Sequence, residues 1–147
     1  MNWYKTSQSI TAYHGTCESY YRVQILEGDG LRNPYLAKDC DLAQYYAEQM
    51  SSMSSRGNYD YGQPVVLEVA IPDTNNLRYD ANSMDEPVMA NENDRDKAWD
   101  QAAQEHPEWV ENDMIVIPET EWQISWNAVS AAKYKGIIPS EYVKRVR

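Results

Sequence analysis

Alternating apolar and polar positions predict one strong β-strand near the middle of the chain, over residues 64–71. One face of this stretch consists of valine, leucine and isoleucine, and the other carries Glu68 between apolar residues. A shorter β-branched run over residues 9–12 predicts a first strand that ends at His14. Further short strands are expected at residues 34–37, 75–80 and 114–117.

Apolar residues at helical spacing predict three helices. The clearest begins at a capping aspartate, Asp39 or Asp41, and continues to about Ser54. A short helix is expected over residues 18–27, and another near residues 94–105. Two further short pieces, at residues 128–132 and 142–146, flank a turn at residues 136–139.

The order of these elements predicts the fold class. A strand, a helix, a small strand and a second helix are followed by a run of short strands, which favours an α+β fold over alternating βαβ units. The 147 residues fit one domain. Residues 80–113 hold eleven acidic residues and are interpreted as an acidic helical insertion, packed on the domain by its tryptophans. A solvated charged face is the simpler explanation of this insertion, and a dedicated binding surface is the alternative.

Composition narrows the classes of function. The formal net charge of −10 argues against a general nucleic-acid binder, because phosphate backbones require a basic surface. Such a charge suits a small-molecule site, a basic protein partner or an acidic mimic of nucleic acid. Cys17 and Cys40 form neither a disulfide framework nor a metal-ligand spacing. Without an apolar run of membrane-spanning length or a signal peptide, the protein is expected in the cytoplasm.

The most informative cluster is His14-Gly15-Thr16, which contains one of only two histidines. An imidazole, a backbone without a side chain and a hydroxyl in one opening can hold a ribose hydroxyl and a carboxamide together. The alternative is a strand end with a buried, hydrogen-bonded histidine and a turn glycine.

This cluster and three later ones resemble the ADP-ribosyltransferase superfamily. The later clusters are Gly30-Leu31 after a helix, the sequence Tyr-Leu-Ala-Lys-Asp at residues 35–39 and Ala-x-Tyr-Tyr-Ala at residues 43–47. The likeness is to the His-Tyr-Glu branch shared by diphtheria toxin and the poly(ADP-ribose) polymerases, in a small toxin or phage-effector form. In that branch two tyrosines separated by ten residues bracket the nicotinamide, and ten residues separate Tyr35 from Tyr46.

The resemblance implies a split mixed or antiparallel sheet flanked by helices, with NAD+ as substrate and no metal. By the family pattern His14 contacts a ribose hydroxyl and contributes to catalysis. Gly15 offers its backbone N–H and C=O to the carboxamide, and Thr16 adds its hydroxyl to the same site. Tyr35 and Tyr46 stack on or flank the nicotinamide ring.

The resemblance also implies a catalytic glutamate at the start of a late strand. Glu121, directly before residues 122–125, fits that context, and Glu119 forms a Glu-x-Glu pair with it. Arginine-modifying transferases carry such a pair, in which the first glutamate addresses the acceptor. If neither acid lies in the cleft, Asp113 or Glu141 could substitute, or the protein binds NAD+ without turning it over.

The expected activity is mono-ADP-ribosyl transfer to a macromolecular acceptor, most simply a protein, in a bacterial or phage-infected cytosol. Binding to membranes or directly to DNA is not expected. One alternative is an RNA 2′-phosphotransferase, which shares the His-Gly-Thr start but depends on several arginines, and only Arg22 lies near His14 in the sequence. Another is a non-enzymatic inhibitor that occupies a nucleic-acid-binding groove with residues 80–113. For Tyr45, core packing is expected rather than a functional role.

Overall fold

The computed structural model describes residues 10–53, 60–88 and 92–147. Over these ranges the elements form an α+β architecture, as their order predicts. The strands are β1 (Thr11–Cys17), β2 (Gly30–Arg32), β3 (Tyr35–Ala37), β4 (Pro64–Ala70), β5 (Leu77–Arg78), β6 (Val110–Glu111), β7 (Met114–Ile115), β8 (Ala131–Tyr134), β9 (Ile137–Pro139) and β10 (Val143–Arg145). The α-helices are α1 (Glu18–Tyr21), α2 (Cys40–Ser52), α3 (Ala81–Asp85), α4 (Glu92–Glu105) and α5 (Trp122–Val129), and a π-helical turn over Arg22–Leu26 continues α1.

Six strands form the central sheet, in the order β10-β4-β1-β3-β8-β5. Each pair of neighbours in this sheet is antiparallel. The longest pairing joins β1 to β4, from Thr11 opposite Ala70 to Cys17 opposite Pro64. The strongest strand of the sequence therefore lies next to the strand that carries His14.

The side chains of β4 alternate between two regions of the core. Val65, Leu67 and Val69 pack with Trp126 on one face of the sheet. Val66 points to the other face and packs against the buried side of α2. Both faces of β4 are thus buried, which explains why its sequence is apolar at almost every position.

The prediction of α2 is confirmed, including its start. Asp39 is the N-cap, and its carboxylate accepts a hydrogen bond from the backbone N–H of Leu42 at 2.9 Å. The expected end at Ser54 lies outside the described residues. None of the helices in the described ranges is both long enough and apolar enough to span a bilayer.

Two predictions about strands are wrong, one in the end of a strand and one in the type of element. The first strand does not end at His14, because pairing with β4 continues through Cys17. The expected late strand after Glu121 is helical and belongs to α5. In that segment Trp122 and Trp126 are four residues apart, and their rings meet edge to face at 6.2 Å, a contact that helical spacing provides.

The expected strand at residues 114–117 is shortened to β7, which pairs with β6 in a separate two-stranded hairpin. Asn112 and Asp113 form the connection with φ angles of 50° and 63°, as a two-residue hairpin turn requires. Met114 is 69% exposed, so this hairpin adds little to the core.

In the acidic stretch of residues 80–113, the structure describes residues 80–88 and 92–113. α4 occupies the predicted helical stretch, and its Trp99 packs against a cluster that contains Met84 and Val129. Asp80, at the start of the acidic stretch, is only 1% exposed. Asp80 and Met84 therefore belong to the interior of the domain, whereas Ala81 and Asn82 between them are exposed.

A close contact between β1 and α2 fixes the position of the helix. A Cβ atom at Gly15 would lie 2.1 Å from the carbonyl oxygen of Ala43 and 2.7 Å from the backbone nitrogen of Ala47. Both neighbours are backbone atoms, so no side-chain movement can relieve the contact. Glycine is required here by the packing of helix on strand.

We expect Gly15→Ala to lower the free energy of unfolding by about 3 kcal/mol, the upper end of overpacking costs. The matched control is Gly136→Ala, where φ is 120° and the nearest neighbour of a new Cβ, on Tyr134, lies 3.9 Å away. That variant should lose about 1–3 kcal/mol, from the backbone conformation alone. Urea unfolding measures both, and a Gly15→Ala protein as stable as the native protein would contradict the close contact.

Candidate functional site

A cavity of about 680 Å³ lies beside β1, β3, α2 and α3. Its volume falls within the roughly 300–1,000 Å³ of small-molecule sites. It is here named the His14 cavity. Its lining includes His14 and Gly15 on β1, Tyr35 on β3, Tyr45 and Tyr46 on α2, and Asp80, Asn82, Ser83 and Glu86 in and around α3.

The cavity lies where the pairing between β1 and β3 stops. These strands pair at Tyr13 opposite Ala37, and continued antiparallel pairing would bring Gly15 opposite Tyr35. Instead, Nδ1 of His14 donates a hydrogen bond to the carbonyl oxygen of Tyr35 at 2.7 Å. The imidazole thus takes the place of a backbone partner, and the sheet opens at this point.

The hydrogen bond to Tyr35 fixes the tautomer of His14. A carbonyl oxygen only accepts, so Nδ1 carries the proton and Nε2 of the neutral ring is the acceptor. Burial lowers the pKa of His14, and the hydrogen bond to Tyr35 opposes this shift in part. At neutral pH the ring is uncharged and can accept a hydrogen bond from a hydroxyl.

Two tyrosines of α2 form an aromatic wall. The rings of Tyr45 and Tyr46 meet edge to face at 5.6 Å and 77°. Burial raises the pKa of the Tyr46 phenol, its hydrogen bond with Ser83 lowers it, and the nearby Asp80 raises it again. Tyr45 is 40% exposed, so the expectation that it packs in the core is wrong.

Tyr35 forms the rim of the cavity, with 47% of its surface exposed. Its hydroxyl accepts a hydrogen bond from Nδ2 of Asn82 at 2.9 Å. The ammonium group of Lys133 lies over its ring, 5.3 Å from the centroid. Because the Tyr35 side chain is exposed, these two contacts, rather than packing, hold it in position.

Asp80 organises the polar side of the cavity. Its two carboxylate oxygens accept hydrogen bonds from Ser83, from the backbone N–H at 3.0 Å and from the hydroxyl at 2.7 Å. The backbone N–H of Asp80 in turn donates to the hydroxyl of Ser125 at 3.0 Å. Since Ser83 also hydrogen-bonds with Tyr46, the network connects α5, the start of α3 and the aromatic wall.

The structure does not bring every expected residue to the cavity. Thr16 is buried, its hydroxyl has no hydrogen-bond partner, and it does not line the cavity. Glu121 directly precedes α5, and Glu119 is exposed on the loop before it. Neither glutamate is among the described lining residues, and the same holds for Asp113 and Glu141. Their catalytic roles stay predictions.

Gln49 and Ser52 of α2 line the cavity and were not predicted, and four polar residues in and around α3 were missed because they fall at the start of the acidic stretch. A signal for them was present, since Asp80 precedes Ser83 by three residues, the spacing of an N-cap that accepts from the third backbone N–H. That spacing predicts a helix start and thus a fixed carboxylate. The four missed residues are Asp80, Asn82, Ser83 and Glu86.

The described walls of the cavity combine aromatic and apolar side chains with a few hydrogen-bonding groups, as small-molecule sites do. Over the ranges described, no three histidine, cysteine, aspartate or glutamate side chains are grouped so that they could hold a metal ion. Comparison with known proteins gave no matching family model, curated protein or solved structure.

The lowered pKa of His14 predicts a pH dependence of stability. The unfolded chain takes up a proton on His14 as the pH falls through about 6.5, whereas the folded protein takes it up only at lower pH. Stability is therefore full above about pH 6.5 and falls below it, by at most about 1.4 kcal/mol per pH unit.

Urea unfolding of the native protein and His14→Gln between about pH 5.5 and 7.5 measures this loss. The variant should lack this contribution, so its stability should depend less on pH over the interval. Identical pH profiles for the two proteins would show that burial does not lower the pKa of His14.

Proposed function

We propose that the protein is a mono-ADP-ribosyltransferase of the His-Tyr-Glu type that binds NAD+ in the His14 cavity. The observation that carries the proposal is that His14, Tyr35 and Tyr46, from three separate elements, line one cavity. A further support is that the pairing of β1 with β3 stops beside His14, which leaves an opening between the two strands at the cavity.

The bound dinucleotide would use the two kinds of group that the cavity offers. Tyr35 and Tyr46 flank the nicotinamide, and stacking on an aromatic side chain contributes roughly 1–3 kcal/mol per base in nucleic-acid complexes. Nε2 of His14 accepts a hydrogen bond from a ribose hydroxyl, which matches the tautomer that Tyr35 imposes. Aromatic contacts orient the ring, and the histidine fixes the sugar.

The proposed reaction breaks the bond between C1′ of the ribose and N1 of the nicotinamide. The bonding electron pair moves to N1, so the nicotinamide becomes neutral and the ribose carries the positive charge. A nucleophile of the acceptor then forms a bond to C1′ and gives up its proton to solvent. Groups that stabilise the ribose cation more strongly than they stabilise bound NAD+ accelerate this reaction.

In the proposal Glu86 supplies the carboxylate for the developing cation. Asp80 also lines the cavity, but it is almost fully buried and both of its oxygens bind Ser83. Glu86 is exposed, which leaves its carboxylate able to approach a bound ribose. Asp80 acts instead as a positioning residue that holds Ser83 against Tyr46.

The two alternative functions depend on other features. An RNA 2′-phosphotransferase needs arginines around the phosphate, and the described part of the cavity lining contains none. A non-enzymatic inhibitor would use the acidic surface of residues 80–113, so its activity would not depend on His14. Loss of function in His14→Ala therefore separates the enzyme from the inhibitor.

We expect Tyr46→Ala to weaken NAD+ binding about tenfold or more, because it removes an aromatic face of the cavity. Tyr46→Phe is the matched control, since it keeps the ring and removes only the hydrogen bond with Ser83. Isothermal titration calorimetry measures the affinities, and circular dichroism checks the fold. A folded Tyr46→Ala protein with unchanged affinity would contradict the proposed position of the nicotinamide.

Release of nicotinamide from NAD+ is measured with and without a bacterial lysate as the source of acceptor. The native protein tests the activity, and variants in the same assay test the role of the Glu86 carboxylate. We expect Glu86→Gln to lower turnover by roughly a hundredfold, the size of effect seen when one electrostatic contact to a transition state is lost. Its effect on turnover should exceed its effect on NAD+ binding, because the carboxylate acts mainly on the ribose cation.

The matched variant Glu121→Gln tests the residue expected from the sequence, and it should keep turnover near that of the native protein. Loss of turnover in Glu121→Gln but not in Glu86→Gln would return the catalytic role to Glu121. No nicotinamide release by the native protein under either condition would overturn the proposed activity.

A further inference from the structure

We propose that the His14 cavity selects flat rings that carry a positive charge over neutral rings of the same shape. In NAD+ such a ring is the pyridinium form of nicotinamide. The identity of the natural ligand rests on the proposed function, but the preference for charge follows from the cavity itself.

The aromatic side chains give the first argument. The face of a tyrosine ring attracts cations, most strongly where water is excluded. Tyr35 already holds a cation in this way, because the Lys133 ammonium group lies 5.3 Å from its ring centroid. Tyr45 and Tyr46 add two further rings to the lining, so the cavity offers a cationic ligand three tyrosine side chains.

The distribution of charge gives the second argument. Among the residues that the structure describes, the lining contains the carboxylates of Asp80 and Glu86 and neither lysine nor arginine, and the Lys133 ammonium group beside Tyr35 offsets only one of these two negative charges. The pKa of His14 is lowered, so its ring adds no positive charge at neutral pH. A negative potential in a partly enclosed cavity acts on a ligand more strongly than the same charges do in open water.

Charge selection would have a consequence for turnover under the proposed function. Cleavage of NAD+ turns the cationic ring into neutral nicotinamide, so the leaving group loses part of its attraction to the cavity when the bond breaks. The product would leave the site more readily than the substrate, and inhibition by free nicotinamide would be weak.

Three small ligands isolate the effect of charge. N1-methylnicotinamide is a cation, 3-methylbenzamide is a neutral molecule of nearly the same shape, and nicotinamide is neutral without the methyl group. NMR titration of the native protein should give affinities for N1-methylnicotinamide roughly five- to tenfold higher than for either neutral ligand at low ionic strength. Raising the salt concentration to about 0.5 M should reduce that ratio, since salt screens the carboxylates.

Two charge-removing variants locate the source of the preference. Glu86→Gln should lower the affinity for N1-methylnicotinamide about threefold and leave that for 3-methylbenzamide unchanged, because only the cation loses an attraction. Glu105→Gln is the matched control, an exposed glutamate on α4 that does not line the cavity, and it should change neither affinity.

Equal affinities of the native protein for N1-methylnicotinamide and 3-methylbenzamide would overturn the inference. So would a Glu86→Gln variant that weakens both ligands to the same extent. A clear preference for the cation without release of nicotinamide from NAD+ would support the inference and reject the proposed enzyme. Release of nicotinamide without any preference would reject the inference alone.

Discussion

The direct contact between β1 and α2 is the constraint on which the candidate site depends. Backbone meets backbone at Gly15, so the helix lies as close to the strand as the two main chains permit. Ala43 and Ala47 are buried in this contact, and Tyr46 lies beside them on the same helix. The close approach therefore sets the distance between His14 and the aromatic wall of Tyr45 and Tyr46. A side chain at residue 15 would move α2 away from β1.

Local sequence patterns were sufficient to predict α2 and β4. The Asp39 cap and the apolar spacing after it specify α2, and the alternation in β4 specifies a strand with both faces buried. The ten-residue separation of Tyr35 and Tyr46 was also informative, because both residues line the same cavity. The helix and the strand depend on neighbours in sequence, which a single sequence displays, whereas the tyrosine pair was predicted from the family resemblance.

Features decided by distant contacts were not predictable in the same way. Ile124 and the tryptophans around it are typical of a strand, yet packing over the sheet and against α4 makes the segment helical. Asp80 belongs to an acidic stretch and would ordinarily be solvated, but Ser83 and Ser125 supply the partners that permit its burial. The hydrogen bond from His14 to Tyr35 replaces a backbone pairing between β1 and β3, and no local sequence pattern predicts this replacement.

Arg95 gives the acidic helix a mechanical connection to the cavity. Its guanidinium group donates to the carbonyl oxygens of Met84 and Asp85, at 3.1 Å each, and so holds α4 to the last turn of α3. The same short helix carries Asn82, which holds the hydroxyl of Tyr35 at the rim. One short helix, α3, is therefore joined to the acidic helix through Arg95 and to the rim of the cavity through Asn82, so the position of Tyr35 is linked to that of α4.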